Sequence, residues 1–456
     1  MFWRLLIILI ILAPLPLASD RPASTALLTI VAAGLLLVWA VAALINPDNF
    51  RTPASAIGWA ALSLAAVAVW VLIQTLPFTP AVWHHPAYEI ARQESGYEGA
   101  GAISPDVGRS LFSLMRLLTY AALFWLAYQL IRSHTQALSL LKAVALAGGA
   151  YALYGLIVYF TGNGWVAFWP KAAYEESLTA TFVGRSGAAT FFGIALLCQT
   201  AWLRHELAPL LAARLPLNQK VQEAFGKFWS LTGLVYLSWL LTLPALLLTG
   251  ARAGAACALI GMTVFFFLSI RREKSTGKFL AKFGALALLL MGATLFYSLH
   301  GTVLLQRLDR MDTGLEDGGR FPTYALVLNA IGDAPLTGQG YGSFQYVFPL
   351  YKDNTMTGSG FWDMAHNTYL ELMFDLGVPA FLLLMLSAGL ILFAIAQSYR
   401  SRERKLLPAL GLSVAALVGC YAMLDFSLQI PAIAALVAML CGAAAVPSSR
   451  GRRSGA

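Results

Sequence analysis

The architecture of this chain is set by residues 319–377, which read GRFPTYALVLNAIGDAPLTGQGYGSFQYVFPLYKDNTMTGSGFWDMAHNTYLELMFDLG. This is the one long segment rich in Gly, Pro, Asp and aromatic residues in a chain that is otherwise almost continuously apolar. Its turn residues leave backbone N–H and C=O groups that lipid cannot satisfy, so the segment cannot cross a bilayer. We therefore expect it to lie in water, held by membrane helices on both sides.

The composition places the whole chain among polytopic membrane proteins. Of its 456 residues, 59% are hydrophobic and only 12% are charged, and the mean hydropathy is +0.69. These values lie outside the range of soluble globular domains. Apolar runs long enough to span a bilayer predict an all-α protein with about twelve transmembrane helices, at residues 4–19, 24–45, 55–76, 111–131, 138–160, 180–203, 229–249, 254–270, 279–299, 378–398, 406–426 and 430–446.

The distribution of charge predicts the orientation of these helices. Cytoplasmic loops retain an excess of Lys and Arg, and with both termini in the cytoplasm most of the 31 basic residues fall on that side, whereas most of the 22 acidic residues do not. Topology then explains the net charge of +9, and no nucleic-acid partner is implied. The N-terminal run ending at Ala18–Ser19 is interpreted as a retained helix in preference to a cleaved signal peptide.

One integral membrane domain over residues 1–456 follows, with outer loops at 77–108 and 300–377 and a basic cytoplasmic tail at 447–456. The adjacent His84 and His85 of the first loop would point to opposite sides of an extended segment, so we interpret that loop as solvated and not as a metal site. The cysteines lie within apolar spans and are typical of small buried side chains. They are Cys198, Cys257, Cys420 and Cys441.

Arginines near the outer ends of the spans predict an anion site. Arg185 falls inside the apolar stretch TFVGRSGAATFFGIALL, where a charge costs at least ~2.5 kcal/mol unless it faces protein, water or an anion. Arg252 has small neighbours and opens a helix, whose N-terminus attracts negative charge. Arg320 precedes a further helical pattern. Together these guanidiniums would bind a diphosphate, whereas Arg109 and Arg116 either snorkel to lipid head groups or line a site.

His366 is the candidate general base, because it stands at a helix start inside the polar segment and an imidazole titrates near neutral pH. Asn367 follows it directly, and Glu371 comes about one turn later. Asp425 ends the eleventh span, where we expect an Arg partner for its charge. The acidic residues form no compact ligand set, so the sequence predicts an enzyme without metal or cofactor.

Three of these segments resemble a known family. They are GRFPTYALVLNAIGDAPLTGQGYGSFQYVFPLY, AHNTYLELMFDLGVP and DFSLQIPAIAAL, and TATFVGRSGAATFFG and TGARAG add to the likeness. From about residue 103 to about residue 440 the chain is similar to the O-antigen ligase and O-antigen polymerase-related membrane family. That resemblance implies a C-type glycosyltransferase-like fold and an undecaprenyl-diphosphate-linked glycan donor, used at the periplasmic face of the bacterial inner membrane without metal or nucleotide sugar.

The resemblance also implies roles for single residues. It assigns the base to His366 and diphosphate contacts to Arg252 and Arg320. Arg185 occupies the arginine of a phrase that often reads TFVNRN in relatives, and Asn367, Glu371 and Asp425 are interpreted as supporting residues.

The acceptor follows from neither the residues nor the family. A ligase would glycosylate lipid A-core, whereas a polymerase would extend another lipid-linked glycan and a protein O-oligosaccharyltransferase would modify a protein hydroxyl. A transporter of lipid-linked glycan is the alternative of another class, and it is disfavoured because no internal repeat is evident.

Overall fold

The computed structural model of the chain describes residues 2–47, 54–162, 164–171, 173–213, 215–226, 229–270, 320–353, 362–401 and 405–447. Three predicted features fall wholly or partly outside these ranges. The span at 279–299 lies outside them entirely. Residues 300–319 and 354–361 of the 300–377 loop, and residues 448–456 of the tail, lie outside them as well.

Across the described ranges the chain is mainly helical, with one short hairpin. In chain order the helices are α1 (Phe2–Leu12), α2 (Pro22–Ile45), α3 (Gly58–Gln74), α4 (Ala87–Ser95), α5 (Val107–Leu130), α6 (His134–Phe160), α7 (Arg185–Ala212), α8 (Leu217–Gly226), α9 (Leu231–Leu248), α10 (Arg252–Ile270), α11 (Arg320–Asp333), α12 (Phe344–Val347), α13 (Thr368–Leu376), α14 (Val378–Ser401), α15 (Leu406–Tyr421) and α16 (Pro431–Ala445). Strands β1 (Trp165–Val166) and β2 (Trp169–Pro170) pair antiparallel between α6 and α7.

The helices confirm an all-α polytopic membrane protein. Among the described residues, seven helices are long and apolar enough to cross a membrane, namely α2, α5, α6, α7, α9, α10 and α14. Shorter apolar helices lie at the remaining spans that were predicted within those ranges, namely α1, α3, α15 and α16. The total of twelve spans and their orientation stay predictions.

The first predicted span is shorter than expected. Helix α1 ends at Leu12, and three consecutive residues after it, Leu17 to Ser19, take positive φ values of 52°, 56° and 58°. Two hydrogen bonds hold this turn, because Ser19 Oγ donates to the Ala13 carbonyl at 2.7 Å and Thr25 Oγ1 donates to the Ser19 carbonyl at 2.6 Å. The turn places Asp20 at the start of α2.

Close helix contacts rely on residues without a side chain. A Cβ at Gly149 of α6 would collide with Ser238 of α9, and one at Gly442 of α16 would collide with the Phe124 carbonyl of α5. Small residues let membrane helices approach until their backbones touch, which replaces the hydrophobic driving force that lipid does not supply. The bundle that carries the polar segment is therefore tightly packed.

The described part of the 320–377 segment folds around an apolar core of its own, which includes Val327, Phe344, Phe348 and Phe374. The first outer loop lies near this core, and His85 in that loop is buried. The backbone N–H of His85 donates to the Ala102 carbonyl at 2.9 Å. The interpretation of this loop as solvated is therefore wrong at His85.

Glycines shape the next part of the segment. Gly338, Gly340 and Gly342 all have positive φ. A Cβ on Gly340 would come within 2.8 Å of Ser104. The Gly342 N–H donates to Asp375 Oδ2 at 2.7 Å, which fastens the loop to the end of α13.

Candidate active site

His366 stands in an anchored turn just before α13. Its φ is +52°, a left-handed conformation that costs a non-glycine residue roughly 1–2 kcal/mol. The next residues fix it: Asn367 caps α13 by accepting from two backbone N–H groups of the first turn. The Thr368 N–H donates to the Ala422 carbonyl at 2.8 Å, and Thr368 Oγ1 donates to the Asp425 carbonyl at 3.0 Å. The unusual backbone is thus maintained by contacts with the segment between α15 and α16.

The imidazole of His366 is partly buried between two aromatic side chains. Its centroid lies 5.5 Å from the Trp362 ring and 5.1 Å from the Phe426 ring, both in edge-on geometry. The His366 carbonyl accepts a hydrogen bond of 3.0 Å from the hydroxyl of Tyr324 in α11. Arg320 begins α11 one turn before Tyr324, and its side chain lies outside what the structure describes.

Glu371 contacts the same turn. It is buried, and its Oε2 accepts a hydrogen bond of 2.8 Å from the N–H of Ala365, directly before His366. Burial raises the pKa of Glu371 to about 7, opposed by hydrogen bonds from the Ala365 N–H and the Gln429 side chain. Glu371, which was predicted to be a supporting residue, therefore contacts the backbone directly before His366.

Asp425 is buried and links the turn to α7. Its Oδ2 accepts a hydrogen bond of 2.6 Å from Ser186 Oγ, and its Oδ1 accepts one of 2.7 Å from the Phe426 N–H. Across the described ranges no arginine lies within 4 Å of this carboxylate. Among the described groups, a hydroxyl and a backbone N–H bind the carboxylate, and an Arg partner for it stays a prediction.

Arg185 begins α7 and directly precedes Ser186. Its guanidinium carbon lies 5.6 Å from the centroid of the Tyr174 ring, and the side chain is partly exposed. Arg185 therefore stands one residue away from the hydrogen bond that joins α7 to Asp425.

Arg252 begins α10 and is exposed. Two residues later, a Cβ at Gly254 would lie 3.2 Å from the hydroxyl oxygen of Tyr421, the last residue of α15. The starts of α7 and α10 therefore adjoin residues 421–430, the segment that also contacts the His366 turn. We call residues 421–430 the catalytic turn.

Arg116 lies inside the protein. Its Nη2 donates to the Gln429 carbonyl of the catalytic turn, and its Nε donates to the Tyr120 hydroxyl at 3.3 Å. Arg116 is therefore bonded within the protein, and whether it lines a site stays a prediction. The partners of the candidate site residues were not predicted, because each is a common residue whose role depends on distant contacts. They are Ser186, Tyr324, Phe426 and Gln429.

Over the described residues no group of three His, Cys, Asp or Glu side chains is placed to hold a metal ion. Residues 237–385 match a family model described as O-antigen ligase. This match supports an O-antigen ligase-related family for the chain. The matched residues include Arg252, Arg320 and His366, whereas Arg185 and Asp425 lie outside them. No curated protein matches the chain.

The match supports an activity of the O-antigen ligase or polymerase type in general. The domain match thereby supports the resemblance inferred from the motifs.

Proposed function

We propose that the protein transfers a glycan from an undecaprenyl-diphosphate-linked donor to an acceptor hydroxyl at the periplasmic face of the bacterial inner membrane. His366 accepts the proton of the hydroxyl, whose oxygen forms the new bond to the anomeric carbon. The bond from that carbon to the diphosphate oxygen breaks, and its electron pair leaves with undecaprenyl diphosphate. Arg185, Arg252 and Arg320 stabilise the departing charge.

One observation carries this proposal: the catalytic turn is contacted by the His366 segment and lies beside the starts of two arginine-bearing helices. Helix N-termini present unsatisfied N–H groups and a partial positive charge, so α7 and α10 both favour an anion near this turn. A base and an anion site side by side are what glycosyl transfer from a diphosphate requires. Asn367, Glu371 and Asp425 then act by holding the base and the turn in place.

We further propose that the acceptor is lipid A-core, as in a ligase, and that neither metal nor nucleotide takes part. The deciding experiment incubates purified protein and a lipid-linked oligosaccharide with lipid A-core, with a second lipid-linked glycan or with a protein acceptor, in chelator and without nucleotide. Gain of mass by lipid A-core supports a ligase. Gain by the second glycan or by the protein would replace that assignment with a polymerase or a protein glycosyltransferase.

His366→Ala is expected to lower the transfer rate at least ~100-fold, the usual contribution of a general base. His205→Ala is the matched control, because His205 lies near the other end of α7 from Arg185. Undiminished transfer by a folded His366→Ala protein would remove the base assignment. Passage of intact lipid-linked glycan without release of undecaprenyl diphosphate would favour the transporter.

A further inference from the structure

The side chain of Tyr324 in α11 bonds to the backbone of the candidate base. Its hydroxyl donates to the His366 carbonyl at 3.0 Å, and the two residues are 42 positions apart in the chain. Helix α11 begins at Arg320, one turn before Tyr324. A helix that starts with an arginine proposed to bind the donor is therefore hydrogen-bonded to the proposed base.

Helix α11 is packed against the helix that follows His366. Val327 and Ala330 of α11 are fully buried, and they belong to the same apolar core as Phe374 of α13. A close-packed core resists changes in the relative position of the elements that it joins. The Tyr324 hydroxyl is therefore presented to the turn before α13 by a helix whose position relative to α13 is fixed.

The carbonyl that Tyr324 binds belongs to a strained part of the backbone. His366 has a φ of +52°, a left-handed conformation in which the Cβ of an L-residue crowds its own backbone. Such a conformation persists only where the surrounding contacts determine it. If the turn relaxed, the peptide unit between His366 and Asn367 would rotate, and the hydrogen bond from Tyr324 opposes that rotation.

Two neighbouring contacts restrain other peptide units of the same turn. Glu371 accepts from the Ala365 N–H at 2.8 Å, on the unit before Ala365. The Thr368 N–H donates to the catalytic turn at 2.8 Å, on the unit before Thr368. The hydrogen bond from Tyr324 adds a third restraint, on the unit directly after His366. Its loss would therefore free the unit on which the direction of the imidazole depends most closely.

We propose that Tyr324 is a positioning residue for the base, whose hydroxyl holds the His366 carbonyl so that the imidazole stays directed at the acceptor hydroxyl. This inference rests on the proposed function, because it takes His366 as the base. Tyr324 exchanges no proton with either substrate and acts through the geometry of the turn. Loss of its hydroxyl should therefore slow the chemical step and leave the binding of donor and acceptor unchanged.

The test combines Tyr324→Phe with His366→Ala in a double-mutant cycle, measured as kcat and KM for glycan transfer by purified protein in nanodiscs. Tyr324→Phe keeps the ring and its packing and removes the donating hydroxyl. With His366 present it should lower kcat about 3- to 10-fold, the population change expected for one neutral hydrogen bond, at unchanged KM for both substrates. In the His366→Ala protein it should change the residual kcat by less than about twofold, because the base that it positions is already absent.

Tyr151→Phe is the matched control, because the Tyr151 hydroxyl also donates to a backbone carbonyl, that of Ile11 at 2.8 Å. That bond joins α6 to α1, and neither helix carries a candidate site residue. Tyr151→Phe should therefore keep its full kcat, although it loses the same kind of hydrogen bond. The unfolding temperatures of both variants check that the fold is retained.

Three results would overturn the proposal. They are an undiminished kcat in Tyr324→Phe, an equal loss in Tyr151→Phe, and the same proportional loss of kcat with and without His366. Full activity of the single His366→Ala variant would refute the proposed base and this role together. A large loss in His366→Ala with no effect of Tyr324→Phe would refute this inference alone, so the two failures are distinguishable.

Discussion

Glu371 offers the sharpest test of how the candidate base is held. In Glu371→Ala the buried N–H of Ala365 loses its acceptor, at a cost of about 1–3 kcal/mol. The left-handed backbone of His366 adds strain of roughly 1–2 kcal/mol, which favours relaxation once that contact is gone. The active arrangement should then fall about 5- to 150-fold in population. We expect the catalytic rate to fall accordingly, with little change in the KM for the donor.

Glu371→Gln separates the hydrogen bond from the charge. The amide oxygen of Gln can still accept from the Ala365 N–H, so most of the activity should return. The assay is glycan transfer by purified protein in nanodiscs, resolved into kcat and KM, with Glu89→Ala as the control at an exposed glutamate of α4. Full activity in Glu371→Ala, or equal losses in the Ala and Gln variants, would refute the reasoning.

Three further predictions address Gly340, Ser186 and Asp20. Gly340→Ala should lower the unfolding temperature in detergent, because Gly340 has a φ of +102° and a Cβ there would collide with Ser104. Gly332→Ala is the control, which should be neutral or stabilising because the space around Gly332 is open. Ser186→Ala should reduce transfer without unfolding the protein, because Asp425 loses its hydroxyl donor; undiminished transfer would argue against a role for this contact. Burial raises the pKa of Asp20 to about 6, so the stability that its neutral form contributes is complete below about pH 4 and is lost as the pH rises through about 6. The unfolding temperature should therefore decrease over this pH range. In Asp20→Asn that decrease should be smaller, because the side chain no longer ionises.

Hydropathy alone predicted most of the fold, because a chain that must satisfy its backbone inside lipid has few alternatives to long helices. The error at the first span has a local cause. The run at 4–19 stays apolar past the point where the helix ends, and only Pro14 and Pro16 hint at the left-handed turn that follows. Hydropathy measures transfer into lipid and carries no information about backbone geometry of this kind.

The candidate site was predicted in its residue types but not in its contacts. His366 and Glu371 are five residues apart, so a helix-start pattern could bring them together. The bond between Ser186 and Asp425 spans 239 positions, and hydroxyls are too common in any sequence to single one out. Arg116 could be placed at the outer leaflet by sequence, but whether it turned to lipid or to protein depended on the packing of α16 against α5.

The shortness of the catalytic turn limits the distance between the contacts at its two ends. Four peptide units join Asp425 to Gln429, and a chain of that length reaches at most ~14 Å when fully stretched. The contact of Ser186 with Asp425 and that of Arg116 with Gln429 are therefore joined by a chain of at most this length. Covalent geometry itself thus limits how far the parts of α5 and α7 that carry these contacts can separate before one of the contacts breaks.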